Sequence, residues 1–150
     1  MQRMEAALAC VGALVPPCVW AASLKAILGG WTTTEASRGL SRCLFGCSAG
    51  RDCITHYAFC PSVVRLARAR LRLQPAPAEV CLDDFLLLHD QTCANRLALR
   101  ALRLYATFMA TNAVRNGRAA AASDAWVQAM VEAASRDAPL AGIVNTLWSI

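Results

Sequence analysis

Lysine is almost missing from this chain. Lys25 is the single example, and the other 14 of 15 basic residues are arginine, set against ten acidic residues for a net charge of +5. A restriction-like nuclease centre needs a lysine beside its carboxylates, and none is available after residue 25. Acidic pairs are equally scarce. Asp83-Asp84 is the one adjacent pair, and it stands in "CLDDFLLL", a helical pattern in which acids of a first turn suit the helix dipole. The clustered aspartates with which a polymerase holds magnesium are therefore lacking. Long unbroken apolar runs are missing too. "ALACVGALVPPCVW" is interrupted by Pro16 and Pro17, follows Glu5 closely and has no clean cleavage site after it, so it reads neither as a secretory leader nor as a membrane span. "LALRALRLYATFMATNAV" carries Arg100 and Arg103 where a lipid core would penalise them. β-Branched runs, the mark of strands, are few, and there is no internal repeat.

What is present is alanine and leucine in quantity. The chain has 150 residues, 57% of them hydrophobic and 17% charged, which suits one ordinary folded domain and not a disordered tail. Both abundant residues favour helices, so the expected fold is mainly α. Arginine in place of lysine suits bidentate contacts to phosphate, which makes a polyanionic partner an option. Compositional bias of the coding sequence accounts for the same pattern.

Breakers and caps divide the chain. A weak helix is expected over residues 4–15, ended by Pro16-Pro17, and a second through "CVWAASLKAIL", stopped by Gly29-Gly30. Thr32 and Glu35 have the form of a capping box for a short helix ending near Gly39. Gly46 and Gly50 mark turns, and Asp52 is placed to cap a helix running through His56 toward Cys60. Pro61 starts or kinks the next helix, "SVVRLARARLRL", whose Arg65, Arg68 and Arg72 share one face. "QPAPA" at 74–78 is a short stiff linker. It separates a segment over 1–73 from one over 79–150, expected to pack together as one domain. Beyond it come a short helix, "EVCLDDFLLL", and a long one from Thr92 to Arg115 closed by Asn116-Gly117. Leu97, Leu104 and Phe108 form the apolar face of the long helix, with Arg96, Arg100 and Arg103 along another. A helix carrying Trp126, Val127 and Met130 and a final apolar segment with Trp148 complete the chain.

Chemistry is concentrated in "CLFGCSAGRDCITHYAFC", residues 43–60. Cys43 and Cys47 flank a turn containing Gly46, and His56 and Cys60 are four residues apart, one turn of a helix. A turn with two thiolates and a helix with two further ligands is a usual way to build tetrahedral zinc, here Cys-x3-Cys-x8-His-x3-Cys. Four protein ligands leave no open position, so such a site is structural and not catalytic. Cys53, three residues before His56, is a fifth candidate. It is set aside because it falls in the first helical turn, where any small residue suffices. A disulfide framework of the eight cysteines and a catalytic Cys53–His56 pair are the competing readings. Against them, Cys10, Cys18, Cys81 and Cys93 lie in apolar helical patterns, and no orienting group or oxyanion turn accompanies Cys53. His89 and Cys93 repeat the four-residue spacing but supply only two ligands.

The run "VWAASLKAILGGWTTTEASRGL", then "CLFGC", then "ITHYAFCP" resembles the zinc-binding region found C-terminal to the reverse transcriptase domain of non-LTR (LINE-like) retroelement polyproteins. The resemblance covers residues 16 to about 73. It implies zinc ligation by Cys43, Cys47, His56 and Cys60, and places Cys53 at a non-ligand position. The first cysteine pair here is one residue wider than is usual in that family, and the final spacing one shorter. The resulting expectation is a small, mainly α domain with a zinc-binding turn-helix and a longer C-terminal helical segment. It would be non-enzymatic, intracellular (cytoplasmic or nuclear) and without a small-molecule substrate. It would bind the phosphate backbone of RNA or DNA through Arg65, Arg68, Arg72, Arg96, Arg100 and Arg103, as a fragment or relic of such a polyprotein. A helical protein-interaction module with purely structural zinc is the first alternative, and a secreted, disulfide-containing helical protein the second.

Overall fold

A computed structural model describes residues 11–31, 42–48, 50–75, 81–87 and 93–148, together with Glu5 and Ala9. The described chain is mainly helical, as its composition leads one to expect. Residues 11–14 are helical and run into Pro16. The helices that follow are α1 (Pro17–Ile27), α2 (Ile54–Phe59), α3 (Pro61–Leu71), α4 (Cys81–Phe85), α5 (Ala94–Arg115), α6 (Ala122–Ser135) and α7 (Ala138–Trp148). Among the described residues no strand forms, only an isolated antiparallel bridge between Arg42 and Arg51. The expected Thr32–Glu35 capping box lies outside the described residues, as does His89.

Local sequence explains where these helices stop and start. Pro17 opens α1 and Pro61 opens α3, positions where the missing N–H costs nothing. Gly117, at φ 65°, closes α5 in a conformation that penalises any side chain. One boundary differs from the expected pattern. Cys60 does not continue the His56 helix, because a residue before proline is driven out of the α region. It takes φ −52° and ψ 119° and stands at the corner between α2 and α3.

The long helix α5 is the axis of the molecule. It packs most extensively on α6 and also touches α1, α3, α4 and α7. Its alanines at 98, 101, 106 and 110 are fully buried, and Ala129, Ala133 and Ala134 of α6 are buried as well. Small side chains on both helices let the two backbones approach closely. Trp126 fills the seam, wholly buried, with its Nε1–H donating to Thr107 Oγ1 at 3.1 Å. The Thr107 hydroxyl in turn donates to the carbonyl of Arg103 at 2.8 Å. Elsewhere in the core Trp31 gathers three rings from three helices: Tyr57 stacked at 6.2 Å, Phe85 at 6.0 Å and Phe108 edge-on at 5.5 Å. This aromatic group joins the cysteine-bearing part of the chain to α4 and α5.

Candidate metal centre

The centre is built from a tight loop and a helix corner. The Cys43 N–H donates to the carbonyl of Gly50 at 3.0 Å, and the Gly46 N–H donates to that of Cys43 at 3.1 Å. Gly46 turns the chain at φ 71°, a value that glycine reaches without strain. These bonds bring Cys43 and Cys47 to one side of the loop. His56 reaches in from α2 and Cys60 from the α2–α3 corner.

The four donor atoms converge: Sγ of Cys43, Cys47 and Cys60 and a ring nitrogen of His56 all lie within 4.8 Å of one another. Cys43 Sγ is 3.7 Å from Cys60 Sγ, which is 3.8 Å from Cys47 Sγ. Sulfurs bound at about 2.3 Å to a tetrahedral zinc ion stand about 3.8 Å apart, so these separations match the edges of such a site. Cys47 Sγ and His56 Nε2 are closer, at 3.1 Å, the length of a direct thiol–imidazole hydrogen bond. A tetrahedral ion would hold that pair about 0.5 Å further apart.

The thiols also share charge unequally. Cys43 is pushed up to about 12, first by its hydrogen bond to Cys60 and then by burial. Cys60 is pulled below the usual thiol value, first by that same bond, and with help from the backbone N–H groups of Ser62 and Val63. Those two amides belong to the first turn of α3, the positive end of the helix dipole, which favours a thiolate. The contact geometry allows either sulfur to carry the proton between Cys43 and Cys60. A divalent cation in the middle of the four donors would take over the role of that proton.

Cys53 lies apart from the group. It precedes α2, and its Sγ sits 3.2 Å from Thr55 Oγ1 on the exposed side. Among the described residues Cys18, Cys43, Cys47, Cys53, Cys60 and Cys93 are free thiols, and Cys93 is exposed. Asp83 and Asp84 fall in the first turn of α4. Asp84 is buried, with Oδ1 2.7 Å from Arg100 Nη1.

The six arginines named from the sequence divide into two groups. Arg65 and Arg68 are exposed on α3, whose Val63, Ala67 and Leu71 are buried, whereas Arg72 does not continue their helical face: it is exposed just past Leu71 in the left-handed conformation, φ 52°, that ends the helix. Arg96 is exposed at the start of α5. Arg100 is turned inward to Asp84. Arg103 is buried, donates to the carbonyl of Ala58 at 3.0 Å and lies over the Phe85 ring at 5.0 Å.

Sequence reading missed three participants. Asp52 does not cap α2; its carboxylate is fully buried, accepting the hydroxyl proton of Tyr57 and two N–H groups of Arg115. Gly50 is more than a turn residue, because a Cβ there would overlap the His56 ring. Tyr57 lies between the two halves of the centre, 5.7 Å from Phe45 of the loop and 5.7 Å from His56. No spacing rule points to a partner as distant as Arg115.

No protein-family model matches the chain, and neither a curated protein nor a solved structure matches it. Among the described residues, no helix is long and apolar enough to cross a membrane.

Proposed function

We propose that this chain is a non-enzymatic, zinc-stabilised helical domain that binds the phosphate backbone of RNA or DNA, akin to the zinc-binding region that follows the reverse transcriptase in non-LTR retroelement polyproteins. The observation that carries the metal reading is the convergence of four donors within 4.8 Å. Three sulfurs and one imidazole favour zinc over magnesium or calcium, which prefer oxygen. With every tetrahedral position filled by protein, the ion has a structural role and no room to activate water. Free thiols fit an intracellular setting, cytoplasmic or nuclear.

The nucleic-acid reading rests on α3. Arg65 and Arg68 face solvent from α3 and Arg72 faces solvent from the residue that ends it, on the helix that starts directly after Cys60. Three phosphate contacts predict that log affinity falls against log salt with a slope of about −2 on single strands and about −2.7 on duplex DNA. Replacing all three by glutamine should flatten that dependence and leave the circular dichroism unchanged. Undetectable binding, or binding indifferent to salt, would remove this half of the proposal. For the metal, elemental analysis of the purified chain should return one zinc per molecule, and a chelator should lower its melting temperature.

A protein-interaction module is the second reading, favoured by the inward use of Arg100 and Arg103, which reduces the basic surface. Under it the α3 triple variant has no effect on nucleic acid, and zinc still binds.

A further inference from the structure

The centre does not stand on its four donors alone. Asp52, between Cys47 and His56 in the chain, has a carboxylate wholly shielded from solvent. Its Oδ2 accepts from Arg115 Nε at 2.9 Å, and its Oδ1 accepts from a second nitrogen of the same guanidinium and from the Tyr57 hydroxyl. Arg115 is the last residue of α5, and a third nitrogen donates to Asn112 Oδ1 at 3.3 Å, one turn back on the same helix. The guanidinium is thus fixed from both sides, by Asn112 on α5 and by Asp52 beside the metal loop. Such planar two-point contacts are geometrically strict.

The tyrosine carries this restraint to the donors. Its ring packs edge-on against Phe45, which lies between Cys43 and Cys47, and it adjoins His56, its neighbour in α2. A shift of the Tyr57 hydroxyl therefore moves the cysteine loop and the histidine helix relative to each other. Asp52 holds that hydroxyl, and Arg115 holds Asp52.

We infer that Asp52, Tyr57 and Arg115 form the outer shell of the metal centre, so that affinity for the ion depends on a residue 63 positions downstream of Asp52, and the bound ion in turn orders the C-terminal end of α5. This rests on the zinc reading above. These three are positioning residues, and none donates to the ion. Groups hydrogen-bonded directly to metal ligands change affinity by about 10- to 100-fold when removed; these three act one contact further out, through the packing of the Tyr57 ring on Phe45 and His56, so the lower end of that range is expected. Linkage requires the effect to run both ways: what strengthens the ion's hold on the loop must strengthen the loop's hold on Arg115.

The test uses the full chain and zinc itself. Competition against a chromophoric chelator gives the zinc affinity of the wild type and of Asp52→Asn, Tyr57→Phe, Arg115→Gln and Arg115→Lys. Tyr57→Phe keeps the ring and removes only the hydroxyl, so it should fold even where Asp52→Asn does not. The expected result is a loss of about tenfold for Arg115→Gln and Tyr57→Phe, with partial recovery in Arg115→Lys. Cobalt substituted for zinc should show a displaced ligand-field band in Tyr57→Phe while the far-ultraviolet circular dichroism stays constant. A purely structural hydrogen bond would leave that band alone. In the wild type, stripping the metal should speed amide exchange at residues 107–116. A wild-type chain that takes up no zinc overturns the metal reading and this inference together. A wild-type chain that binds zinc, with both variants within twofold of it and exchange at 107–116 unaltered by chelation, overturns the coupling alone.

Discussion

Residues 94–135 and residues 42–60 are held together by different materials. In the first, α5 and α6 bury alanines, leucines, Met130 and Trp126 against each other over most of their lengths. In the second, the loop over 42–53, a helix of 6 residues and the corner at Cys60 bury Cys43, Tyr57, Ala58 and Cys60 with a carboxylate, Asp52. The helical pair draws on area removed from water, which no single residue dominates. The loop has little such area. Its order depends on directed interactions between few atoms: thiols, an imidazole and a buried ion pair. The two halves should therefore fail under different insults.

The largest effect expected is local to the loop. Metal binding in small zinc modules is worth on the order of 10 kcal/mol, and most of it is folding energy. Chelation, or His56→Ala, should remove amide protection from residues 42–60 while the middle of α5 and α6 keeps theirs, as read by hydrogen exchange with mass spectrometry. Equal loss in both regions would erase the distinction. Next is Trp126→Ala, which empties the α5–α6 seam and strips Thr107 of a donor. It should cost about 3–5 kcal/mol in denaturant unfolding, with the zinc affinity nearly unchanged. Gly50→Ala comes third. The added carbon overlaps the His56 ring, and relief by movement of loop or ring should cost about 1–3 kcal/mol, visible mainly as weaker metal binding.

The smallest effect at neutral pH belongs to Tyr105 of α5. Burial, and then the neighbouring Cys18, push its hydroxyl from 10.0 up to about 12. A raised folded-state value means that the unfolded chain releases this proton first as pH rises. Its contribution is therefore fully present below pH 10 and is lost progressively as the pH climbs toward 12. Tyr105→Phe should flatten the fall in melting temperature across that window and change nothing at pH 7.

The same division decides what could be read from the sequence. Helix limits set by Pro17, Pro61 and Gly117 were legible because proline and glycine act through their own backbone. The grouping of Cys43, Cys47, His56 and Cys60 was legible because loop and helix spacings restrict where near neighbours point. Asp52 and Arg103 were not. As a local pattern Asp52 looks like a helix cap and Arg103 like a solvent-facing charge, yet their partners, Arg115 and Ala58, are 63 and 45 positions away. Buried charge is settled by tertiary contact, on which short-range periodicity is silent.

Cys60 terminates α2, precedes α3 and contributes a donor to the centre. That shared vertex phases Arg65 and Arg68 of α3 to the ion. Each residue added after it rotates the rest of α3 by about 100°. A single insertion between Pro61 and Val63 would therefore leave the donors in place, carry Val63, Ala67 and Leu71 off their apolar bed, and aim the charges at a different side of the molecule. Substitutions are a mild test of this corner; a change in its length is the severe one.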